Sequence, residues 1–192
     1  MTTTTEHEPG TQTAGLPTPG TYTVDKAHTV VGFVVRHLIG TKVRGRFTEF
    51  DANLVIAADP TQSTLEATAE AASITTGVGQ RDDHLRTNDF LDAPNHPQVV
   101  VKSTGLTKVT DSAWKLAADL TVRGVTKPVV FDLTYEGKGP GMTPGSEVVA
   151  FSATTEIDRR DFGVSFNGLV EGNIVVGNKV KIELEVEAGL AS

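Results

Sequence analysis

The five histidines of this 192-residue chain are the side chains best suited to binding a metal ion or moving a proton. His28 and His37 flank the first strand-like run and lie an odd number of positions apart, so a regular strand points them to opposite faces. A metal shared by the two would need a β-bulge, for which Gly32 is the candidate. His37 shares the face of Phe33, and it either meets the polar end of a ligand or is a structural histidine.

The other histidines suggest less chemistry. His7 lies in the N-terminal segment, and His96 lies between two prolines in a predicted turn. Asp82, Asp83 and His84 are consecutive, but adjacent side chains on a helix do not converge on one point. We therefore interpret them as the start of a helix, whose positive dipole end favours carboxylates.

The remaining motif searches exclude several classes of chemistry. The chain has no cysteine, which excludes thiolate catalysis and Cys-ligated metals. It contains no G-x-S-x-G, H-E-x-x-H or G-x-G-x-x-G motif. The glycine-rich stretch 172–179 lacks a lysine at the P-loop position and precedes a strand. The residues therefore indicate neither an enzyme class nor a metal or cofactor.

The charge of the chain helps to decide between the possible classes of binding partner. The formal net charge of −7 argues against nucleic acid, because phosphate binding needs a dense cationic face. Lys42, Arg44 and Arg46 alternate along one predicted strand and form either a solvated outer face or, with Arg36, a contact for an anionic headgroup. For the adjacent Arg159, Arg160 and Asp161, a structural ion pair is the simplest interpretation.

Short runs with a period of two dominate the chain from about residue 20 and predict strands. In the clearest run, Trp114, Leu116 and Leu120 alternate with polar residues, as expected for an antiparallel sheet with one face buried. Eight strands are predicted, near 22–37, 41–58, 63–75, 98–109, 113–123, 128–137, 147–158 and 175–188. Only residues 80–90 favour a short helix, which is too small to cover a sheet, so the strands must cover one another in a sandwich or a closed barrel.

Residues 1–19, rich in Thr, Gly and Pro, are predicted to be a disordered tail before a single barrel domain spanning residues 20–192. No stretch approaches the roughly 18 apolar residues of a membrane span, and the N-terminus lacks a leader pattern. We therefore expect a cytoplasmic protein with no membrane span.

The third strand suggests a hollow barrel. Leu65, Ala67, Ala69 and Ala71 share one face, and three small side chains in succession leave space if that face looks inward. An eight-stranded barrel either packs solid or holds one small ligand. The alternative is that the aromatic side chains of the other strands fill the space.

Four segments, residues 21–54, 80–103, 118–129 and 156–164, resemble in order the motifs of the YceI-like family of polyisoprenoid-binding, lipocalin-like proteins. These motifs include D-x-x-H-S, R-D-x-H-L-R, L-T-I-R-G-V-T-K-P-V and I-x-R-x-D-F-G-I. The resemblance implies an all-β, eight-stranded antiparallel lipocalin-like barrel with a short helix over one end, which encloses an isoprenoid or fatty amide chain, often in a dimer. The chain departs from the pattern at Thr29, Leu91 and Val101, and we expect the loss of two aromatic side chains to reshape the tunnel and change the length of chain it accepts. The matching positions are His28, Phe33, His37, Gly45, Phe47, Arg81, Asp82, His84, Leu85, Phe90, Arg159, Asp161 and Phe162.

Pattern and resemblance together predict a binding protein that carries, stores or senses a long apolar chain without catalysis. The partner is a polyisoprenoid, an isoprenoid-quinone-like lipid, a fatty amide or another lipid, with transport as one role and a homodimer as a possible assembly. The predicted ligand-binding residues are Val31, Phe33, Val35, Arg36, His37, Val43, Phe47, Leu65, Ala67, Leu85, Phe90, Trp114, Leu116, Phe131, Val149, Phe151 and Phe162. Leu85 and Phe90 would form a lid, and Arg36 and His37 would face the polar end.

Two alternatives stay open. In the first, the same barrel is an isomerase or hydrolase acting on a hydrophobic substrate, with His37 as acid or base and a carboxylate pointing at it inside the lumen. In the second, the lumen is packed solid and the protein works through its surface. A cavity below about 300 Å³ would favour the second.

Overall fold

The computed structural model describes residues 15–37, 40–167, 169–170, 173–174 and 176–191. Its strands are β1 Gly20–Val24, β2 Val30–His37, β3 Thr41–Phe47, β4 Phe50–Ile56, β5 Thr64–Glu70, β6 Ile74–Thr75, β7 Gln98–Lys108, β8 Ala113–Val122, β9 Val125–Pro140, β10 Glu147–Asp158, β11 Leu169–Val170, β12 Asn173–Ile174 and β13 Val176–Leu190. The helix α1 spans Gly79–Arg86, and three 3-10 turns lie at Pro60–Gln62, Ala71–Ser73 and Arg159–Phe162.

The predicted antiparallel barrel is confirmed. Neighbouring strands follow the order β1, β4, β5, β7, β8, β9, β10 and β13, and the pairing of β1 with β13 closes the ring. The strand β13 also pairs with β2, and β2 leads through β3 to β6. Closure pairs the strands of this ring on both sides, while β3 pairs with β6 only at Arg46 and Phe47.

The first three predicted strands are each bent or interrupted once. A turn separates β1 from β2, where the Asp25 carboxylate accepts hydrogen bonds from the Ala27 N–H (2.8 Å) and pairs with the His28 ring (2.8 Å). The next breaks fall between β3 and β4 and between β5 and β6, where Ser73 Oγ accepts from the Glu49 N–H (3.1 Å). Such breaks let a strand bend, which a small closed barrel requires.

One end of the barrel carries α1 and the 3-10 turn 159–162, and we call it the α1 end. The helix is shorter than the predicted 80–90, because Thr87 takes an extended backbone and its hydroxyl donates to the His84 carbonyl (2.8 Å). Asp82 is not simply a dipole partner, since its buried carboxylate accepts hydrogen bonds from Thr75 Oγ1 and the Thr76 N–H, both at 2.8 Å. Burial alone raises the pKa of Asp82, but these hydrogen bonds outweigh it and the pKa is lowered.

The opposite end, which we call the Tyr22 end, is filled by side chains. Tyr22, Val24, Ile56, Val149 and Ala188 form a cluster in which each residue is less than a tenth exposed. Tyr22, Val149 and Ala188 are at most 1% exposed, so packed side chains close this end, and Val24 and Ile56 also border the barrel interior.

A partly buried carboxylate stabilises the Tyr22 end. Glu147 accepts hydrogen bonds from Tyr22 Oη (2.7 Å) and the Thr18 N–H (2.8 Å) and pairs with Lys138 Nζ (2.9 Å). Tyr135 Oη also donates to the Gly15 carbonyl (2.8 Å). These contacts extend the packed region to residues 15–19, which the sequence analysis assigned to the tail. Residues 1–14 lie outside the described part of the chain, so a disordered tail there stays a prediction.

We predict that Glu147 makes stability depend on pH in the acid range. Burial raises the pKa of Glu147, but the hydrogen bonds from Lys138, Thr18 and Tyr22 outweigh it and hold the pKa at about 2, against 4.5 ordinarily. Because the folded-state pKa is depressed, the stabilisation is complete above pH 4.5 and is lost as the pH falls towards 2. Its size is at most about 3 kcal/mol.

Urea unfolding of wild type and Glu147→Gln across this pH range tests the prediction. The variant should be the less stable at pH 7, and the difference between the two proteins should vanish near pH 2. A difference that stays constant over the whole range contradicts this role of the carboxylate.

The β8–β9 hairpin depends on a glycine. Arg123 (φ 50°) and Gly124 (φ 72°) are both left-handed, as a two-residue type I′ turn requires, so β9 begins at Val125 and not near 128 as predicted. A Cβ on Gly124 would lie 2.8 Å from the His96 ring. Gly124→Ala should therefore lower the free energy of unfolding by about 2 kcal/mol in urea titrations. Gly139→Ala, where a Cβ meets no atom within 4 Å, is the matched control and should cost nothing.

Candidate functional site

An apolar cavity of about 510 Å³ occupies the barrel interior. Every strand of the closed ring and α1 contribute to its wall. Many inward-facing side chains, such as Val31, Phe33 and Leu184, are only partly buried because they face this space instead of one another. The volume exceeds 300 Å³, so the alternative of a solid core is wrong.

The cavity is widest where the inward-facing side chains are small. Ala67 and Ala69 of β5 and Ala153 of β10 face the cavity, as the third predicted strand indicated for β5. Ala71 belongs to the 3-10 turn after β5 and is not on the wall. Gly45 is covered by the Phe33 ring, since a Cβ there would lie 2.3 Å from Phe33 Cζ. Phe33 thus lies flat against β3 and leaves the centre open.

Fifteen of the seventeen predicted ligand-binding residues lie on the cavity wall. The exceptions are Trp114 and Val149, for which the predicted wall position is wrong. Both are buried, but Val149 packs in the cluster that fills the Tyr22 end, and Trp114 lies at the start of β8 with Lys108 Nζ 5.9 Å from its ring centre. The fifteen wall positions are Val31, Phe33, Val35, Arg36, His37, Val43, Phe47, Leu65, Ala67, Leu85, Phe90, Leu116, Phe131, Phe151 and Phe162. Their contact with a ligand stays a prediction.

Three aromatic rings meet at the α1 end. The Phe166 ring lies 4.9 Å from that of His84 and 5.2 Å from that of Phe90, and all three border the cavity. His84 Nε2 also pairs with Asp89 Oδ2 at 2.8 Å. The rings connect the segment after α1 with the segment after the 3-10 turn 159–162. The sequence analysis did not identify Phe166, because no periodic pattern marks that loop.

Arg159 is the charged group most deeply placed at this end, with only 5% of its surface exposed. It donates to the carbonyls of Val164 (2.8 Å), Phe166 (2.7 Å), Val176 (3.4 Å) and Gly177 (3.0 Å), and to Asn178 Oδ1 (3.4 Å). All five N–H groups are therefore used by the protein. The predicted ion pair is wrong for Arg159. In the described part of the chain, the carboxylate within 4 Å of Arg159 or Arg160 is that of Asp158, and it pairs with Arg160. Burial lowers the pKa of Arg159, and the nearby Asp158 opposes this effect.

Cationic and imidazole side chains dominate the polar part of the wall. Arg36, His37, Arg81, His84 and Arg159 all border the α1 end of the cavity. The one carboxylate among the described wall residues is Asp51 of β4, which is largely exposed and pairs with Lys26. The enzyme alternative requires a carboxylate directed at His37, and in the described part of the chain none lies within 4 Å of that ring.

A possible metal-binding cluster lies away from the cavity. Ligand atoms of Asp25, His28 and Glu187 lie within 4.8 Å of one another. The Asp25 carboxylate already accepts hydrogen bonds from the Ala27 N–H and pairs with His28 Nδ1, so the group fastens the turn between β1 and β2. His28 and His37 are thus separated, and His37 alone of the two borders the cavity.

No helix in the described residues is both long and apolar enough to cross a membrane.

The solved structures that resemble this chain include a YceI protein of Campylobacter jejuni, with 30% sequence identity and a TM-score of 0.72 over 89% of this chain and 98% of that one. They also include a polyisoprenoid binding domain from Saccharophagus degradans, with 13% identity and a TM-score of 0.65 over 88% and 98% of the two chains. At 13% identity the likeness is one of fold.

The sequence comparisons agree with the fold. A UPF0312 protein of Staphylococcus aureus is 32% identical over 174 residues, which are 88% of this chain and 98% of the relative. The model of the YceI-like domain matches residues 22–188. The chain therefore belongs to the YceI-like family.

Proposed function

We propose that the protein binds one long apolar chain in the barrel cavity and does no chemistry on it. The observation that carries the proposal is the preformed cavity of about 510 Å³, lined almost entirely by apolar side chains. Its volume falls within the range of about 300–1,000 Å³ typical of small-molecule sites. The ligand class is a polyisoprenoid, an isoprenoid-quinone-like lipid or a fatty amide, held for carriage, storage or sensing.

Apolar burial alone can supply the affinity. Each methylene transferred from water contributes ~0.8 kcal/mol, so a chain of about twenty contributes ~16 kcal/mol. Association costs about 4–15 kcal/mol, so a polar anchor is not required. The wall gives such a chain few polar partners along its length, which favours a lipid over a polar metabolite.

The orientation of the ligand follows from the two ends of the barrel. The Tyr22 end is packed, so the chain enters and leaves at the α1 end. The polar end of the ligand then lies near Arg36 and His37, and the described side chains form no hydrogen bond to the His37 ring. All five N–H groups of Arg159 already donate to protein acceptors, so this side chain stabilises the fold and has none left for the ligand.

Native mass spectrometry tests the proposal, with protein purified from its own host and then titrated with geranylgeraniol. We expect either a co-purified lipid mass or a shift of one ligand per chain on titration. Ligand-free protein that shows no shift with prenyl chains would overturn the proposal. Cytoplasmic location, a transport role and a homodimer stay predictions, which fractionation, lipid-transfer assays and ultracentrifugation would test.

A further inference from the structure

Six exposed cations lie together on the outer face of β2, β3 and β13 next to the α1 end. We call this set the basic surface, and its members are Arg36, Lys42, Arg44, Arg46, Lys179 and Lys181. Arg36 lies directly opposite Lys42 in the β2–β3 register, and Arg44 and Lys181 both lie opposite Val34. This concentration of positive charge contrasts with the formal net charge of −7 for the whole chain.

The acidic groups that face the basic surface neutralise it only in part. Glu183 pairs with Arg44 (3.3 Å) and Lys181 (2.9 Å), and Asp158, opposite Lys179, is bound by Arg160 (2.6 Å). Glu156 lies opposite Lys181 in the β10–β13 register.

The other four cations of the set have only more distant counter-charges, since Lys42 and Lys179 act on Glu183 and Asp158 and Glu185 borders the same outer groove as Arg46. Within the described ranges, no carboxylate lies within 4 Å of Arg36, Lys42, Arg46 or Lys179. Like charges directly opposite on neighbouring strands destabilise a sheet, so the fold itself does not account for this arrangement.

The basic surface is continuous with the α1 end of the cavity. Arg36 borders the cavity, and its backbone packs against Gly177. Arg159 donates to the Gly177 carbonyl (3.0 Å) and to the Phe166 carbonyl (2.7 Å). These bonds link the Phe166 carbonyl through Arg159 to Gly177 beside Arg36, and Phe166, whose ring borders the cavity, is 36% exposed. Exposed aromatic side chains beside cations are typical of surfaces that contact the membrane interface.

We propose that the basic surface docks the α1 end onto an anionic lipid bilayer, so that the apolar chain passes between bilayer and cavity. This inference rests on the proposed function, because a chain that is insoluble in water has to come from an apolar phase. Each Lys or Arg held near an anionic bilayer strengthens binding roughly fivefold. The attraction reaches about 10 Å at moderate salt, so the whole surface need not touch the lipid.

Vesicle flotation tests the docking with two preparations, phosphatidylcholine alone and phosphatidylcholine mixed with phosphatidylglycerol. The wild-type chain should bind the mixed vesicles and dissociate from them when salt is added. It should not bind vesicles of phosphatidylcholine alone. The variant K42Q/R46Q/K179Q should lose about a hundredfold in affinity for the mixed vesicles, since three cations are removed.

The matched control is K102Q/K108Q/K115Q, which removes the same charge from β7 and β8 on the opposite wall, where these lysines form surface ion pairs and Lys108 also lies over the Trp114 ring. It should bind mixed vesicles like wild type. Equal losses in the two variants, or wild-type binding that does not depend on phosphatidylglycerol, would overturn the inference. Tighter capture of the protein by heparin than by mixed vesicles would also overturn it, in favour of a soluble polyanion.

A second measurement separates this inference from the proposed function. Geranylgeraniol binding without vesicles should be the same in K42Q/R46Q/K179Q and wild type, because none of the three residues lies on the cavity wall. If wild type binds geranylgeraniol but no anionic vesicle, only the docking is refuted. If it binds neither geranylgeraniol nor another apolar chain, the proposed function is refuted whatever the vesicles show.

Discussion

Ala67→Trp should abolish binding of the apolar chain while leaving the barrel folded. Ala67 lies on the cavity wall in the middle of β5, so an indole there occupies space that the ligand needs. If the indole excludes four methylenes of the chain, the loss is about 3 kcal/mol, or more than a hundredfold in affinity. Displacement of a fluorescent fatty-acid or prenyl probe measures the change. Because the cavity is empty of protein atoms, urea unfolding should show stability within about 1 kcal/mol of wild type.

Ala117→Trp is the matched control. Ala117 lies on β8 between the inward residues Leu116 and Ala118, and its own side chain points to the outer face. The same addition of volume outside the barrel should leave probe binding unchanged. Normal binding by Ala67→Trp would show that the chain occupies another site, and loss of binding in both variants would show that the effect is not specific to the cavity.

The strands and the hollow could be predicted from the sequence because both depend on a local period of two. Leu65, Ala67 and Ala69 alternate with polar residues, and parity alone places them on one face. The breaks between β1 and β2 and between β3 and β4 were not predictable in this way. The positions of these breaks depend on which residues of β13 pair with β1 and β2, and on which residues of β5 pair with β4. Such pairing joins residues that are far apart in the chain, so a short run of sequence does not reveal it.

The site shows the same division between local and distant information. Parity correctly points Val149 inward, but it does not tell how far along the barrel axis the side chain lies, and Val149 belongs to the packed Tyr22 end. Val164 and Phe166 lie in a loop without periodicity, and the other partners of Arg159 lie at the irregular start of β13, so their positions follow only from the closed fold. Adjacent charges suggest local ion pairs and so predict a carboxylate partner for Arg159, whereas its acceptors are four backbone carbonyls and the Asn178 side chain, up to 19 residues away.

Arg159→Leu should destabilise the protein by about 3 kcal/mol and loosen the α1 end. Two opposing effects determine whether this substitution lowers or raises the free energy of unfolding. Removing a buried guanidinium relieves the cost of taking its charge out of water. The same change leaves the carbonyls of Val164, Phe166 and Gly177 without their donor, and hydrogen bonds to a charged group contribute about 1.5–3 kcal/mol each. The three shortest bonds together exceed the relief, because a leucine offers these buried or partly buried carbonyls no replacement donor.

The effect should also reach the ligand. With Arg159 gone, the segment of Phe166 keeps only the longer Asn167–Val176 hydrogen bonds (3.3 and 3.4 Å) to the start of β13, so the contact of Phe166 with His84 and Phe90 weakens. Probe dissociation should then be at least tenfold faster than in wild type. Arg159→Lys should recover less than half of the stability, because one ammonium cannot span acceptors that the planar guanidinium reaches together. Arg160→Leu is the neighbouring control, since Arg160 is exposed and pairs only with Asp158, and it should change stability by less than about 1 kcal/mol. If the Arg159 and Arg160 variants unfold alike and release the probe at equal rates, Arg159 does not organise the α1 end.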